Sequence, residues 1–290
     1  MKKQPSPKDL GLDSDSFVGT DDSDDDLPQR VIANIEGGQK TGKDHFALTA
    51  PGPIVLFNFD CGLEGVIEKF RRGFPGSKPK RIIVAGVPKS GQRYPSYRFA
   101  RPVPERGETR KSLGYLDRVK KLASPIWERW INDMSEFYES ESRTGIIDTG
   151  GAAFGLAKFA FHGMDKGRPN PKDDPYGQKS GDMKTIFQGL ITDGYSYDKN
   201  VLWLHRIKEK WVSNAPSGQY MADGYNQVAY EVMTTIRTSK TKVKGKNEFT
   251  AEVRDCRIDT QMEGDKFEGA LCNFPTVMAA IFGTSEDEWM

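Results

Sequence analysis

The sequence predicts an α/β fold, in which a mostly parallel sheet is flanked by helices and followed by a part rich in β-hairpins. Short apolar runs typical of buried strands alternate with helical segments between residues 31 and 204. A glycine-rich run lies directly between the first strand and the first helix. After residue 224 the pattern changes to β-rich runs separated by lysines. The predicted fold class rests on these three observations.

Five segments indicate buried strands, because each is a short apolar run bounded by turn residues or followed by a polar residue. They are Val31–Ile35, Ile54–Phe59, Arg81–Ala85, Gly145–Asp148 and Asn200–Leu204. Helices are predicted between them and near the C-terminus, and Pro51-Gly52-Pro53 ends the first of these. The predicted helices are Lys43–Thr49, Leu63–Phe70, Leu116–Tyr138, Gly151–Phe161, Asp182–Asp193 and Phe274–Phe282.

Three parts are expected along the chain. Residues 1–28 carry an acidic cluster from Asp21 to Asp26 and almost no large apolar side chains, which indicates a disordered tail. The tail is either simply solvated or a docking segment for a basic partner. Residues 29–223 form the α/β core. Residues 224–290 are a β-rich extension of the same domain, in which Lys240–Lys246 form the long cationic tip of a hairpin.

Composition limits the function classes. The formal net charge is +1, so any nucleic-acid site must be a local patch. Cys61, Cys256 and Cys272 lack metal-ligand spacing, so we expect reduced thiols in a cytoplasmic protein and no zinc. No apolar run of membrane-spanning length and no secretory signal are expected.

The run between the first strand and the first helix satisfies G-x-x-x-x-G-K, the spacing of a phosphate-binding loop. Its glycines let backbone N–H groups turn toward an anion, and the lysine ammonium reaches the β- and γ-phosphates. A glycine- and lysine-rich surface turn is the alternative. We expect nucleotide contacts from Gly37, Gly38, Gln39, Lys40, Thr41, Gly42, Lys43, Asp44 and His45.

One residue departs from the pattern. The position after Lys43 is Asp44 instead of the Ser or Thr whose hydroxyl binds Mg²⁺. A carboxylate can bind Mg²⁺, but it also places negative charge beside the phosphates. The sequence therefore predicts Asp44 as a metal ligand and puts efficient hydrolysis in question.

Further polar residues lie where strands end. Asp148 is a candidate Mg²⁺ ligand or else a helix N-cap. Asp60 and Glu64 are candidates for positioning the attacking water, or else a cap and a surface residue of the next helix. His205 is a candidate contact for the γ-phosphate, or else a hydrogen-bonded histidine at a strand end. Arg206 or Lys208 could serve a neighbouring subunit.

Several of these segments together resemble a known protein family. It rests on Ile35–Lys43, Phe46–Pro53, Asn58–Gly65, Gly145–Asp148 and Asn200–Glu209, with a less diagnostic similarity around Arg237 and Lys240. The chain resembles the phage-type RecA-like P-loop ATPases associated with single-strand annealing proteins, sometimes labelled AAA-type phage nucleotide-binding proteins.

The resemblance implies a RecA-like core, ATP and Mg²⁺ as cofactors, ATP hydrolysis, and a role in phage recombination or replication. It also implies contact with single-stranded DNA, self-assembly into a homo-oligomer, and an annealing or single-strand-binding protein as a partner. By position, Lys43 would hold phosphate, Asp148 the metal, Asp60 would lie near the catalytic carboxylate, and His205 would occupy the sensor region.

Two basic segments could contact single-stranded DNA, since Lys and Arg follow phosphates and tyrosines stack on bases. Both could instead be solvated surface or subunit interfaces. The first is the loop of residues 86–115, with Arg93, Tyr94, Tyr97, Arg98, Arg101, Arg106 and Arg110; the second contains Lys240, Lys242, Lys244 and Lys246.

Three functions remain open from the sequence. The first is an ATPase acting on single-stranded DNA. The second is a nucleotide-binding assembly protein with little or no hydrolysis, which Asp44 makes plausible. The third is a small-molecule kinase, because kinases use the same loop.

Overall fold

A computed structural model describes residues 30–60, 64–73, 80–86, 96–164, 178–213 and 215–290. Nine strands form its sheet. They are β1 (Ile32–Gly37), β2 (Ile54–Asn58), β3 (Ile82–Val84), β4 (Thr144–Asp148), β5 (Asn200–Val212), β6 (Ala215–Ala222), β7 (Thr234–Val243), β8 (Lys246–Cys256) and β9 (Lys266–Glu268). The helices are α1 (Lys43–Leu48), α2 (Glu64–Arg72), α3 (Leu113–Glu139), α4 (Gly150–His162), α5 (Gln178–Thr192), α6 (Val228–Glu231) and α7 (Phe274–Phe282).

The strands are hydrogen-bonded in the order β3-β2-β4-β5-β1-β7-β8-β9, and β6 pairs with β5 outside this path. The six strands from β3 to β7 are parallel to one another. β8 and β9 continue the sheet antiparallel, as does β6 at its separate position. One strand, β5, separates β1 from β4. The predicted α/β class and the β-hairpins of the C-terminal part are thereby confirmed.

Helices cover both faces of the sheet, and its central strands are buried on both sides. One buried cluster joins the sheet to α1, α2 and α7, with Phe46, Ile67 and Phe274 among its members. A second cluster joins the opposite face to α3, α4 and α5, and Trp130 and Phe187 are fully buried there. We call these the α1 face and the α4 face. None of the helices in the described part of the chain has the length and apolarity needed to cross a membrane.

The structure corrects three sequence expectations. β5 does not end at Leu204 but continues to Val212, and its outer half carries β6 as a hairpin partner. The predicted β run at 228–237 begins with the short helix α6. The expected long cationic tip is itself strand, since β7 and β8 stay paired out to Val243 and Lys246. A two-residue turn joins them, with Lys244 and Gly245 at φ 49° and 79°, the positive values that tight hairpin turns require.

The carboxyl ends of the parallel strands meet at one edge of the sheet. Gly37, Asn58 and Asp148 end β1, β2 and β4 there. Asp148 and Asn58 are register partners, and Asp148 is likewise aligned with Leu204. Leu204 belongs to the cluster on the α1 face, so these polar residues share that face. Ligand sites of open α/β sheets lie at this edge.

Candidate nucleotide site

The segment from Gly37 to Lys43, called the phosphate loop here, connects β1 to α1. Two of its residues, Lys40 and Gly42, have φ of 56° and 96°, which turns successive peptide units in the way an anion-binding loop needs. Lys43 is 7% exposed, and its Nζ donates to the carbonyl oxygens of Gly37 (3.1 Å) and Gly38 (2.6 Å). The ammonium is thus held at the mouth of the loop by two neutral acceptors that an anion can replace.

Burial lowers the pKa of Lys43, while Asp44 and then Asp148 act in the opposite direction. The helix that follows is only six residues long. We therefore assign the electrostatics of the loop to the Lys43 ammonium and the backbone N–H groups.

β7 lies against the loop on the side away from β5. Thr41 Oγ1 is 3.0 Å from Thr238 Oγ1 and donates to the carbonyl oxygen of Gly38 at 3.0 Å. A Cβ on Gly37 would lie 2.5 Å from the carbonyl oxygen of Thr238 and 2.6 Å from Thr41 Oγ1. Gly37 is therefore required because the loop passes closer to β7 than any side chain allows.

Asp148 is the buried acid of the site. Asp148 is 6% exposed. Burial raises the pKa of its carboxyl, and the negative charges of Asp44 and Asp60 raise it further, while the positive charges of Lys43 and Arg206 lower it. The alternative reading of Asp148 as a helix N-cap is wrong. Thr149 is the N-cap of α4, and its side chain accepts from the Ala152 N–H.

Asp60 and Arg206 face one another across the edge of the sheet. Arg206 Nη2 donates to Asp60 Oδ2 in an ion pair whose side chains are 50% and 35% exposed, respectively. Arg206 lies on β5 two residues beyond Leu204, so its side chain is on the α1 face with Asp148. Asp60 and Arg206 both contribute to the electrostatics of Asp44 and Asp148.

The prediction that His205 contacts the γ-phosphate is wrong. Because β5 continues past Leu204, His205 is an interior strand residue whose side chain points to the α4 face. It is fully buried, and its Nδ1 lies 2.8 Å from Asn34 Oδ1. Its ring occupies the space that a Cβ on Gly150 would need. One step along the strand exchanges the two faces, and Arg206 takes the position expected of His205.

Asn58 was missed by the sequence analysis. It is fully buried, its Oδ1 accepts from the Asp60 N–H at 3.3 Å, and its Nδ2 has no hydrogen-bond partner within the described residues. A buried donor without an acceptor is costly, and this one is on the α1 face beside Asp148. A ligand oxygen would satisfy it. The signal in the sequence was an amide that ends an otherwise apolar strand.

Asp44 lies in the first turn of α1. Burial raises the pKa of its carboxyl, Lys43 and His45 lower it, and Asp60 adds to the rise. In the described part of the chain, no three His, Cys, Asp or Glu side chains are grouped so as to hold a metal ion. Asp44 and Asp148 fit Mg²⁺ only if phosphate oxygens and waters complete its coordination, which is how Mg²⁺ usually binds beside nucleotides.

The remaining predicted site residues are either exposed near the loop or lie outside the described residues. Gln39 and Lys40 are exposed on the loop, and His45 is exposed with its ring 5.8 Å from that of Phe70 on α2. Burial and the charge of Lys69 lower the pKa of His45. Glu64 is the first residue of α2, but its side chain lies outside the described residues, as does the whole of 61–63.

The two basic segments predicted to contact DNA differ in the exposure of their side chains. In the first, Arg93 and Tyr94 lie outside the described residues, and Arg98 is exposed. Tyr97 is 1% exposed and packs on Phe59, so it cannot stack on a base. In the second segment the four lysines, Lys240, Lys242, Lys244 and Lys246, are all exposed on the β7–β8 hairpin.

Comparison with known proteins finds similarity among solved structures. A scan against protein families finds no match, and a search of curated proteins finds none either. Among solved structures, the flagellar accessory protein FlaH of Methanocaldococcus jannaschii is 13% identical with a TM-score of 0.38, over 87% of this chain and 92% of that one. A KaiC-like protein of Pyrococcus horikoshii is 12% identical with a TM-score of 0.35, over 82% and 84%. The α/β fold class is shown by the strand order and by the helices on both faces of the sheet.

Proposed function

We propose that this chain binds a nucleoside triphosphate together with Mg²⁺ and hydrolyses it, with ATP as the nucleotide. The observation that carries the proposal is that Lys43, bound to the carbonyl of Gly37 at the end of β1, and the buried carboxyl of Asp148 at the end of β4 lie at the same edge of the sheet. The charges of Lys43 and Arg206 both act on Asp148. A cation inside a backbone loop beside a buried acid is the arrangement that binds a metal–triphosphate complex.

Each group then has a chemical task. Lys43 would exchange the carbonyls of Gly37 and Gly38 for phosphate oxygens. Asp148 and Asp44 would hold Mg²⁺, which supplies positive charge to the phosphates when it is bound. The Nδ2 of Asn58 would donate to a phosphate oxygen or to water.

Asp60 and Arg206 would act in the hydrolytic step. Asp60 would orient the attacking water and accept its proton. Arg206 would donate to the terminal phosphate, where negative charge shifts during transfer. Because Arg206 is bound to Asp60 in the structure, both roles require that ion pair to open.

Equilibrium titration with a fluorescent ATP analogue tests the proposal. With Mg²⁺ the protein should show saturable binding, and Lys43→Ala should weaken it at least tenfold. Lys184→Ala removes an exposed ammonium from α5 on the opposite face of the sheet and should change nothing. Absence of saturable binding to the unaltered protein would refute the proposal.

We propose single-stranded DNA as the polymer partner, in phage recombination or replication, and the β7–β8 hairpin as its contact. Support comes from Lys242, Lys244 and Lys246, which crowd the exposed end of the hairpin. Self-assembly and an annealing or single-strand-binding protein as partner belong to the same proposal. Light scattering with and without nucleotide and DNA tests the assembly.

A nucleotide-dependent assembly protein with little hydrolysis is the second candidate. Asp44 favours it, because a third carboxylate beside Asp60 and Asp148 repels the phosphates. A small-molecule kinase is the third candidate. DNA-stimulated ATP turnover supports the first function, binding without turnover the second, and phosphate transfer to a nucleoside the third.

A further inference from the structure

The β7–β8 hairpin contacts the outer side of the phosphate loop with an aromatic ring. Phe249 on β8 lies so close to Gly42 that a Cβ there would be 2.9 Å from its Cδ1 and 3.4 Å from its Cε1. Gly42 has a φ of 96°, so the turn that shapes the loop is also the point where the ring edge touches it. The ring is therefore within reach of whatever leaves the loop on this side.

The two sides of the loop differ in chemistry. In the sheet, β5, β4 and β2 lie on one side of β1, while β7 and β8 lie on the other. The first side carries Arg206, Asp148 and Asp60. The second side carries Thr238, which is aligned with Gly37, and beyond it the hairpin.

This asymmetry fixes the direction of a bound triphosphate. Its terminal phosphate has to lie at the side of the acids and Arg206, because the metal ligand and the water-positioning carboxylate are there. With the phosphates held by the loop, the sugar and base must leave toward the opposite side. That side is occupied by the β7–β8 hairpin.

Phe249 is suited to receive the base. It is 37% exposed although it is a large apolar side chain, and no aromatic ring within the described residues stacks on it. Its register partner on β7 is Lys240, which is also exposed. Directly opposed residues of antiparallel strands share one face, and Thr238 belongs to the same face two residues before Lys240. The face beside the loop thus offers a ring with a cation next to it.

We propose that Phe249 is the stacking platform for the base of the bound nucleotide, with Lys240 beside it on the path of the ribose. This assignment rests on the proposed nucleotide binding and adds the part of the site that distinguishes a nucleotide from a bare polyphosphate. Every base presents a π face, and stacking on a protein ring strengthens binding by roughly tenfold to a hundredfold per base. Selectivity for ATP over inorganic triphosphate would come from this ring.

The test compares two ligands, Mg·ATP and Mg·tripolyphosphate, by calorimetric titration. Phe249→Leu keeps an apolar side chain against Gly42 but removes the ring. It should weaken ATP binding about tenfold and change tripolyphosphate binding less than twofold. Phe249→Trp keeps a ring and should retain ATP affinity, and Val243→Ala at the exposed tip of the hairpin is the matched control that should change neither.

Other results overturn the assignment. Equal weakening for both ligands in Phe249→Leu would mean that the ring only supports the loop. Unchanged affinity for both would mean that the base lies elsewhere. If the unaltered protein bound neither ligand, nucleotide binding itself would be refuted. If the unaltered protein bound both ligands and Lys43→Ala bound neither, the proposed nucleotide binding would be supported, and the result with Phe249→Leu would still decide the place of the base.

Discussion

Arg206 of β5 donates a hydrogen bond to the carboxylate of Asp60, which lies two residues beyond the end of β2. Both side chains are partly exposed, so the pair contributes little to the free energy of unfolding. Its position beside Asp148 gives it another consequence. The group proposed to activate water is occupied by the group proposed to contact phosphate, and a bound triphosphate would compete for Arg206.

Arg206→Gln should separate these roles. We expect the free energy of unfolding to change by about 0.5 kcal/mol or less. ATP turnover should fall on the order of a hundredfold, because a donor aimed at transition-state charge is lost. Urea unfolding and steady-state phosphate release measure the two quantities. Lys120→Gln, which breaks the exposed pair with Asp117 on α3, is the control; an equal fall in turnover there would contradict a specific role for Arg206.

Asp44→Thr should raise ATP turnover about threefold to tenfold. The threonine restores a hydroxyl to the position after the loop lysine, and the change removes a negative charge that repels the phosphates. The Mg²⁺ concentration for half-maximal rate should fall. Asp44→Asn removes the charge without supplying a hydroxyl, so it should recover less. Turnover that is unchanged in the threonine variant would show that Asp44 is compatible with full activity.

Gly37→Ala should cost about 1–3 kcal/mol of stability and abolish nucleotide binding, because its Cβ would overlap atoms of Thr238 and Thr41. Gly38→Ala is the matched control within the loop. Its Cβ would meet nothing nearer than 3.4 Å, at Thr41 Cγ2, so the fold should tolerate it. Thermal unfolding and nucleotide titration of both variants check the pair. Similar stability losses in the two would contradict the close approach to β7.

The sequence was sufficient for the elements whose burial makes their pattern unambiguous. β1, β2 and β4 are buried along their whole length, and α7 falls on the predicted residues 274–282. It was insufficient where tertiary pairing decides. The outer half of β5 is polar, and it is a strand because β6 pairs with it. The apolar pattern of the sequence therefore predicts a strand that ends too early, at Leu204.

That shortened strand explains the error at the site. With β5 ended at Leu204, the next residue, His205, looked like the polar group at a strand end. In a continued strand the side chains alternate, so His205 turns to the α4 face and Arg206 to the α1 face. Asn58 was missed for a related reason, because an amide at the end of a strand has meaning only once Asp148 is aligned with it.

Charge reversal at the end of the β7–β8 hairpin should weaken binding of single-stranded DNA. We expect Lys242→Glu, Lys244→Glu and Lys246→Glu together to flatten the dependence of log affinity on log salt by roughly 2, since each phosphate contact to a single strand contributes about 0.7. Fluorescence anisotropy across salt concentrations measures the slope. Lys266→Glu, on exposed β9, is the control. An unaltered slope in the triple variant would remove the hairpin as the DNA contact.

His205 should make the stability of the fold sensitive to acid. Burial lowers its pKa from 6.5 to about 4, so the unfolded chain binds a proton between these values and the folded chain does not. Stability is therefore fully present above pH 6.5 and is lost as the pH falls toward 4, by ~3 kcal/mol for this residue. Urea unfolding of the unaltered protein and of His205→Gln at pH 7.5, 6.5, 5.5 and 4.5 measures this.

Carboxylates also titrate in that range, but they are common to both proteins, so the difference between the two curves isolates His205. The difference should change by about 2.5 kcal/mol between pH 7.5 and 4.5, because the lowest pH lies above the folded pKa, whatever constant cost the glutamine carries. Parallel curves would mean that the ring takes up a proton without leaving its place beside Asn34, and that the α4 face of β5 admits a charge.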